Sequence, residues 1–342
     1  MLPMALDTQK LDTIVSQIFQ TGIGILAADE STASTPKRLD LAGLENTEEN
    51  RRRFRDMLLN TDGIEQHLSG VILHDETFWQ KNLDDQTFVE QLLEKGLVPG
   101  IKVDAGLRVL PGTDGEKFTQ GLDNLDDRLE QYADAGAGFA KWRAAFQIDT
   151  EKGTPSANAI RVNSNMMAIY AGMCQRNGIV PIVEPEVLIT GTYTINEKRD
   201  VMQAIFTDMF KVFAKHNVYL PGVMLKTSMV HSAREAEVWA TADEVAQYTS
   251  SILEEYVPAD IGGVVFLSGG LSGETANKFL NAISETQSPA MNAKTTFSFA
   301  RAAQEEPLRI WAGDDANLAR ARERYLEILA DQGKAEKGEL VD

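Results

Sequence analysis

Cysteine is almost absent from the 342 residues: Cys174 is the only one. No disulfide can close within the chain, and no cysteine cluster can hold a metal. A lone cysteine fits a reducing compartment, so a cytoplasmic protein is expected. Histidine is nearly as scarce. His67, His74, His216 and His231 show no H-x-x-x-H or similar ligand spacing, so no metal site and no cofactor are expected. No apolar run approaches the ~20 residues of a membrane-spanning helix. The first twenty residues are broken by Asp7, Lys10 and Asp12, where a signal peptide needs an uninterrupted apolar stretch. Basic residues are outnumbered 33 to 51, for a net charge of −18. That balance argues against a broad nucleic-acid surface and against binding to anionic membranes. The one basic triplet, Arg51-Arg52-Arg53, adjoins Glu48 and Glu49 and reads as a solvated helix face. The chain has neither a Walker loop nor a G-x-S-x-G elbow. Gly22 to Ala27 matches a loose G-x-G-x-x-A string, but it opens an apolar run instead of following one.

What is present is a repeated unit. Eight short apolar runs recur: Gly22–Asp29, Gly70–Asp75, Val98–Asp104, Phe139–Phe146, Ile179–Glu186, Gly222–Met229, Gly263–Gly270 and Phe297–Arg301. Near-continuous apolar runs suit parallel strands covered on both faces. Helical periodicity fills several of the intervals, over Thr47–Leu59, Ser156–Asn177, Asn196–His216, Thr241–Tyr256 and Ser272–Ile283. An extra helix is expected before the first run, over Leu6–Phe19, and another after the last, over Asn317–Ala330. Gln332–Asp342 is polar and reads as a mobile tail. Eight strands alternating with helices fit a doubly wound sheet or a closed barrel; the count of eight favours a single (β/α)8 TIM barrel over residues 1–342. Nearly every run ends in ionisable groups: Asp29, His74 with Asp75, Lys102 with Asp104, Lys141 with Arg143, Glu184 with Glu186, Lys226 and Arg301. Barrel active sites lie at that C-terminal rim. Residues two apart on a strand share a face, so the Lys141/Arg143 and Glu184/Glu186 pairs can point into one mouth.

Cations gathered in a barrel mouth suit a phosphate ester. Ser268-Gly269-Gly270 and Arg301, at the ends of runs seven and eight, form the natural phosphate site, since glycines admit backbone N–H groups and arginine binds bidentately. A lysine held among cations and apolar walls has a lowered pKa and becomes a nucleophile for carbonyls. Lys226 fits best, because its sequence neighbours are uncharged; Lys102 has Asp104 two residues on, and Lys141 shares its face with Arg143. Glu184 and Glu186 can serve as acid and base for loss of water, and Asp29 can take a hydroxyl proton. The residues point to Schiff-base chemistry on a phosphorylated carbonyl compound.

Several segments carry a specific resemblance. Leu26-Ala-Ala-Asp-Glu-Ser31 with Ser34, Gly100-Ile-Lys-Val-Asp104, Phe139-Ala-Lys-Trp-Arg143, Val183-Glu-Pro-Glu186 and Phe266-Leu-Ser-Gly-Gly270 together resemble class I fructose-bisphosphate aldolase, from about residue 22 to about residue 330. The resemblance implies cleavage of fructose 1,6-bisphosphate to dihydroxyacetone phosphate and glyceraldehyde 3-phosphate. It implies that Lys226 forms the Schiff base, that Glu184 is the acid/base with Glu186 in support, and that Asp29 helps deprotonate the C4 hydroxyl beside Lys141. Ser268, Gly269 and Arg301 would bind the ketone-side phosphate; Lys102, Arg143, Ser31 and Ser34 would bind the other phosphate and the hydroxyls. It further implies a homo-oligomer, usually a tetramer, with a sugar phosphate as the only partner. A related aldolase acting on sedoheptulose bisphosphate or fructose 1-phosphate stands as an alternative, as does a non-catalytic phosphate-binding barrel. The sequence departs from the family in three places. Thr227-Ser228 replaces Pro-Asn after the lysine, Ala300 replaces glycine before Arg301, and the last tyrosine is Tyr325, so the enamine would be protonated by Glu184 or water.

Overall fold

The computed structural model describes residues 6–31, 36–286 and 293–341. Eight parallel strands follow one another around one sheet: β1 (Gly24–Ala28), β2 (Leu68–Leu73), β3 (Val98–Lys102), β4 (Phe139–Phe146), β5 (Val180–Val187), β6 (Met224–Ser228), β7 (Gly263–Leu267) and β8 (Thr295–Phe297). The order is sequential, and helices connect the strands, as a (β/α)8 barrel requires. The seam between β8 and β1 is bridged just past the end of β8, where the Ala27 N–H donates to the Phe299 carbonyl at 3.1 Å. Thr296 Oγ1 donates to the Ile23 carbonyl at 2.6 Å, and Gln304 Nε2 to that of Ala27 at 2.5 Å.

Strand alternation divides the core in two. Ile25, Ala27, Ile72, Val98, Phe139, Val180, Ile182, Met224 and Val265 fill the barrel interior, while Leu26, Val71, Trp142, Val183 and Leu225 belong to the larger core shared with the surrounding helices. The helix Thr8–Ile18 closes the barrel floor. Its Asp7 cap accepts from the Lys10 N–H at 3.0 Å, and Leu11, Ile14, Val15 and Ile18 join the interior cluster. Truncating Leu11, which is fully buried, to alanine would cost about 2–5 kcal/mol. Large and small residues interdigitate inside. A Cβ on Gly100 would lie 2.2 Å from the Phe139 ring in the interior, and in the larger core one on Gly24 would lie 2.3 Å from that of Phe297.

The helices that follow the site-bearing strands start from strong caps. Thr194/Glu197 and Thr241/Glu244 form reciprocal capping boxes at the starts of Ile195–Lys215 and Ala242–Tyr256. These fix where the loops after β5 and β6 end. The seven expected helices are present to within a few residues at all but one end. Features that went unread include the helices Phe88–Glu94 and Leu125–Asp134, the short helices Pro36–Leu39 and Asp75–Trp79, and a hairpin of Leu107–Val109 with Lys117–Thr119.

Two expectations need correction. The eighth run is not a strand through Arg301: β8 ends at Phe297, and Arg301 opens the helix Arg301–Trp311. Pro307 inside that helix removes one ladder N–H and hid it from a periodicity reading. The first five residues of the expected tail, Gln332 to Glu336, are helix. Leu318–Glu336 is continuous, with Gln332 and Ala335 buried, because the polar residues there flank a stripe of small side chains packed against the barrel.

Candidate active site

The polar residues that interrupt the interior alternation stand at the rim end of the strands. On β4 the inward series is Phe139, Lys141, Arg143; on β5 it is Val180, Ile182, Glu184, Glu186; on β6 it is Met224, Lys226, Ser228. The lower members are apolar and the upper ones ionisable, so the core grades into a charged cup two to three residues from each strand end. Asp29 follows β1 directly.

Four of these groups touch. Lys141 Nζ lies 2.7 Å from Asp29 Oδ2 and 3.0 Å from Glu184 Oε2. Lys226 Nζ lies 3.8 Å from the same Glu184 oxygen. Lys141, Glu184 and Lys226 are all at least 95 % buried. Glu184 Oε2 makes no hydrogen bond of good geometry with either lysine, so a buried acceptor is left facing the gap beside Lys226. Ser228 also has an unpartnered buried hydroxyl on that side of β6. The strands separate here. Pairing between β5 and β6 runs Ile182–Met224 and Val183–Leu225 and stops one residue short of Glu184 and Lys226.

The two lysines are driven in opposite directions. Burial pushes the Lys226 amine down; Glu184 opposes this, Lys141 reinforces it, and the result lies below the ordinary lysine value. Burial also acts against the Lys141 ammonium, but Asp29, Glu184 and Asp104 outweigh it and hold that lysine charged. Burial alone would raise the Asp29 carboxyl, yet Lys141 and Lys226 bring it well below the usual carboxylate range. The cup therefore holds a permanent cation, an ionised carboxylate and an amine predisposed to lose its proton.

A second layer surrounds these four. Arg143 Nε donates to Glu186 Oε2 at 2.5 Å. Lys102 Nζ donates to Asp104 Oδ1 at 2.7 Å, the pairing expected from their spacing. The site carboxylates are thus taken up by lysine and arginine, and among the described residues no three His, Cys, Asp or Glu side chains are arranged to hold a metal ion. Ser268 is buried at the end of β7. Gly269 and Gly270 follow it at φ +52° and +97°, a left-handed turn that glycine adopts without strain. A Cβ on Gly269 would stand 4.0 Å from Glu186 Oε1, so this turn adjoins the cup. Arg301 reaches the same turn: its Nη2 would lie 2.9 Å from a Cβ on Gly270. Ser31 lies two residues beyond Asp29 in the loop after β1, and Ser34 falls outside the described residues. Tyr325 is fully buried in the final helix, with burial raising its hydroxyl, and does not enter the cup. Sequence reasoning missed Arg234, whose Nη2 would lie 3.0 Å from the Gly270 Cβ. It sits in a loop with no periodic signal.

Such a cup can attack a carbonyl, protonate a departing hydroxyl and remove a proton from a neighbouring one. Comparison with known proteins identifies the family. The sequence model of the family described as Fructose-bisphosphate aldolase class-I matches residues 10–342. Fructose-bisphosphate aldolase 2 of Caenorhabditis elegans is 42 % identical over 332 residues, covering 97 % of this chain and 90 % of the relative. Fructose-bisphosphate aldolase C of Homo sapiens is 43 % identical over 331 residues, covering 96 % and 90 %. A solved fructose-bisphosphate aldolase from Plasmodium falciparum, in complex with TRAP and a small-molecule inhibitor, superposes with a TM-score of 0.96. It is 41 % identical, with 99 % of this chain and 98 % of that one covered. With its fold, its buried lysines and these matches in agreement, the chain belongs to the class I fructose-bisphosphate aldolase family.

Proposed function

We propose that the cup performs the reversible aldol cleavage of fructose 1,6-bisphosphate with each residue in a distinct role. The neutral Lys226 amine attacks the C2 carbonyl to give a carbinolamine. Glu184, 3.8 Å away, delivers a proton to the carbinolamine hydroxyl, and water leaves as the iminium forms. The Asp29 carboxylate takes the C4 hydroxyl proton. The C3–C4 bond breaks, its electrons flow into the iminium, and glyceraldehyde 3-phosphate departs from the resulting enamine. Proton return to C3 and hydrolysis release dihydroxyacetone phosphate and restore the amine. Lys141 stays charged throughout and keeps Asp29 ionised in a buried place. Glu186, fixed by Arg143, supports Glu184 from the next position on β5. Ser268, Gly269 and Arg301 receive the ketone-side phosphate, and Lys102, Arg143, Ser31 and Ser34 the aldehyde-side groups.

The observation that carries this reading is the contact line Lys226–Glu184–Lys141–Asp29, which sets a depressed amine beside an acid, a cation and a base. Borohydride reduction with fructose 1,6-bisphosphate, followed by peptide mapping, tests it. One three-carbon adduct on Lys226 is expected; an adduct on Lys141 or Lys102 with Lys226 free would refute it. Lys102 and Arg143 are already engaged by Asp104 and Glu186, which favours fructose 1-phosphate as a further substrate. Comparing kcat/KM for the two sugars decides their rank. A homo-oligomer, tetrameric by resemblance, is supported by the exposed Val238 and Trp239, and light scattering of the purified protein measures it. A cytoplasmic setting is supported by the single, buried Cys174. No helix of the described chain is long and apolar enough to cross a membrane.

A further inference from the structure

Twelve arginines of the described chain are held in ion pairs. Five are not: Arg108, Arg128 and Arg320 bond uncharged acceptors, while Arg234 and Arg301 have no described carboxylate at that range, although the chain carries far more acid than base. They come from different elements, Arg234 from the loop after β6 and Arg301 from the first turn of the helix after β8. Their guanidiniums nevertheless converge on Gly270. A Cβ there would lie 2.9 Å from Arg301 Nη2 and 3.0 Å from Arg234 Nη2, so the two nitrogens are less than about 6 Å apart. Two like charges at that range repel unless an anion joins them.

Arg234 is held in place for such a role. Its N–H donates to the Ile189 carbonyl at 2.8 Å, its carbonyl accepts from Trp239 Nε1 at 3.3 Å, and its own Nη2 donates to the Gly270 carbonyl at 3.1 Å. A cavity of about 940 Å³ opens beside Arg234, Gly270, Ser272 and Arg301. Three carboxylates in its wall, Glu305, Glu306 and Asp331, are occupied by Arg309, Arg324 and Lys334. The remaining one, Glu274, lies outside ion-pair reach of either free arginine. The cation pair is therefore left uncompensated at the edge of the Ser268–Gly270 turn.

We propose that Arg234 is a second guanidinium ligand of the ketone-side phosphate, which is clasped between Arg234 and Arg301 above Gly270. A phosphate offers several oxygens to two planar forks, and each fork can bind bidentately. Ala300 stands where the resemblance implies glycine, and a second arginine supplies a contact that a closer backbone would otherwise make. The proposal rests on the assignment of that turn to phosphate.

The test compares dihydroxyacetone phosphate with dihydroxyacetone, which form the same Schiff base and differ only in the phosphate. Borohydride trapping is titrated with each on the full chain. Arg234→Ala is expected to raise the half-saturating concentration of dihydroxyacetone phosphate by about tenfold or more. It should leave that of dihydroxyacetone unchanged, and Arg234→Lys should recover part of the loss, as a charge without the fork. If Arg301→Ala weakens the phosphate ester and Arg234→Ala does not, Arg234 is no ligand while the phosphate assignment stands. If neither variant moves it, the assignment itself fails. Equal weakening of both ketones by Arg234→Ala would mean it acts through the lysine's surroundings, and the proposal falls. Should Arg234→Ala not fold, as judged by circular dichroism, Arg234→Lys and Arg234→Gln carry the same comparison.

Discussion

Lys141 Nζ stands 2.7 Å from Asp29 Oδ2, and this pair sets the charge state of the whole cup. Lys141 and Arg143 share a strand face, but each cation has its own carboxylates: Arg143 pairs with Glu186, and Lys141 lies between Asp29 and Glu184. Two lysines under equal burial thus end in opposite states. One has two carboxylates within 3.0 Å, and the other shares a single carboxylate at 3.8 Å.

That arrangement predicts how Schiff-base formation responds to pH. Only neutral Lys226 is nucleophilic, so trapping rises with pH through its depressed pKa. Lys141→Met removes a repelling cation and frees Asp29 and Glu184 to attract the remaining ammonium. Both changes favour protonated Lys226, so the rising limb should move to higher pH in the variant. The measurement is the rate of borohydride trapping of dihydroxyacetone phosphate across pH, with saturating ligand. A limb displaced to lower pH would contradict the assignment of Lys141 as the neighbouring cation.

Function at Lys226 opposes stability. Its folded pKa lies below the unfolded value of about 10.4, so the unfolded chain binds more protons between the two values. The buried amine therefore costs stability at pH 7, and the cost fades as pH rises toward the unfolded pKa. Lys226→Met keeps most of the volume and removes the amine. Turnover should vanish, while the unfolding midpoint at pH 7 holds or rises, by up to about 2 kcal/mol in stability. The gain should shrink when the same comparison is made near pH 10. A midpoint lowered by several degrees at pH 7 would show that the amine stabilises the fold.

The barrel interior offers a packing test independent of chemistry. Gly100 on β3 faces the Phe139 ring so closely that a Cβ would sit 2.2 Å from it. Gly100→Ala should destabilise by about 1–3 kcal/mol, or fail to fold, because the ring has no empty neighbour to move into. Phe139→Leu alone leaves a cavity and should also destabilise. Combined, the two should cost less than their sum, as expected for residues that share one volume. Chemical denaturation of the four proteins measures the coupling; strict additivity would mean that the ring and the glycine are not in contact.

Much of this was legible in the sequence because strand alternation and rim chemistry obey one period. Phe139, Lys141 and Arg143 are two apart, so apolar floor and charged mouth can be read from a single run. Which acid serves which lysine was not legible, since strand tilt around the barrel decides whether Lys141 meets Glu184 or Glu186. The eighth strand was misjudged because Ser298 to Arg301 is apolar enough to extend it, while Pro307 disguised the helix that begins there. Arg234 was invisible for another reason. Its position depends on backbone ties between the loops after β5 and β6, among them Ala233 N–H to Tyr193 and Glu235 N–H to Gly191. No local pattern encodes them.

The last helix yields the final prediction. The tail after Asp331 holds no tyrosine or histidine, so its removal is expected to leave most of the turnover. The structure adds a cost in stability. Gln332 and Ala335 are buried, Gly333 packs against the backbone at Gly22, and Glu336 Oε2 accepts from the Gly22 N–H at 2.5 Å. Gly22 lies two residues before β1, whose far end leads into Asp29, so this turn of helix braces one catalytic strand from below. A chain ended after Asp331 should lose several degrees of unfolding midpoint, from exposed core and a lost contact to β1. A chain ended after Gly338 keeps the helix and Glu336. It loses the Glu339 N–H bond to the Lys334 carbonyl at 2.9 Å, the exposed Lys337–Glu339 ion pair and the Leu340 N–H bond to Asn281 Oδ1 at 2.9 Å, and should stay within about 1 kcal/mol of the full protein. Thermal unfolding of the two truncations, with turnover measured on each, separates bracing from tail chemistry. Equal midpoints for both would show that Gln332–Glu336 contributes nothing to holding β1.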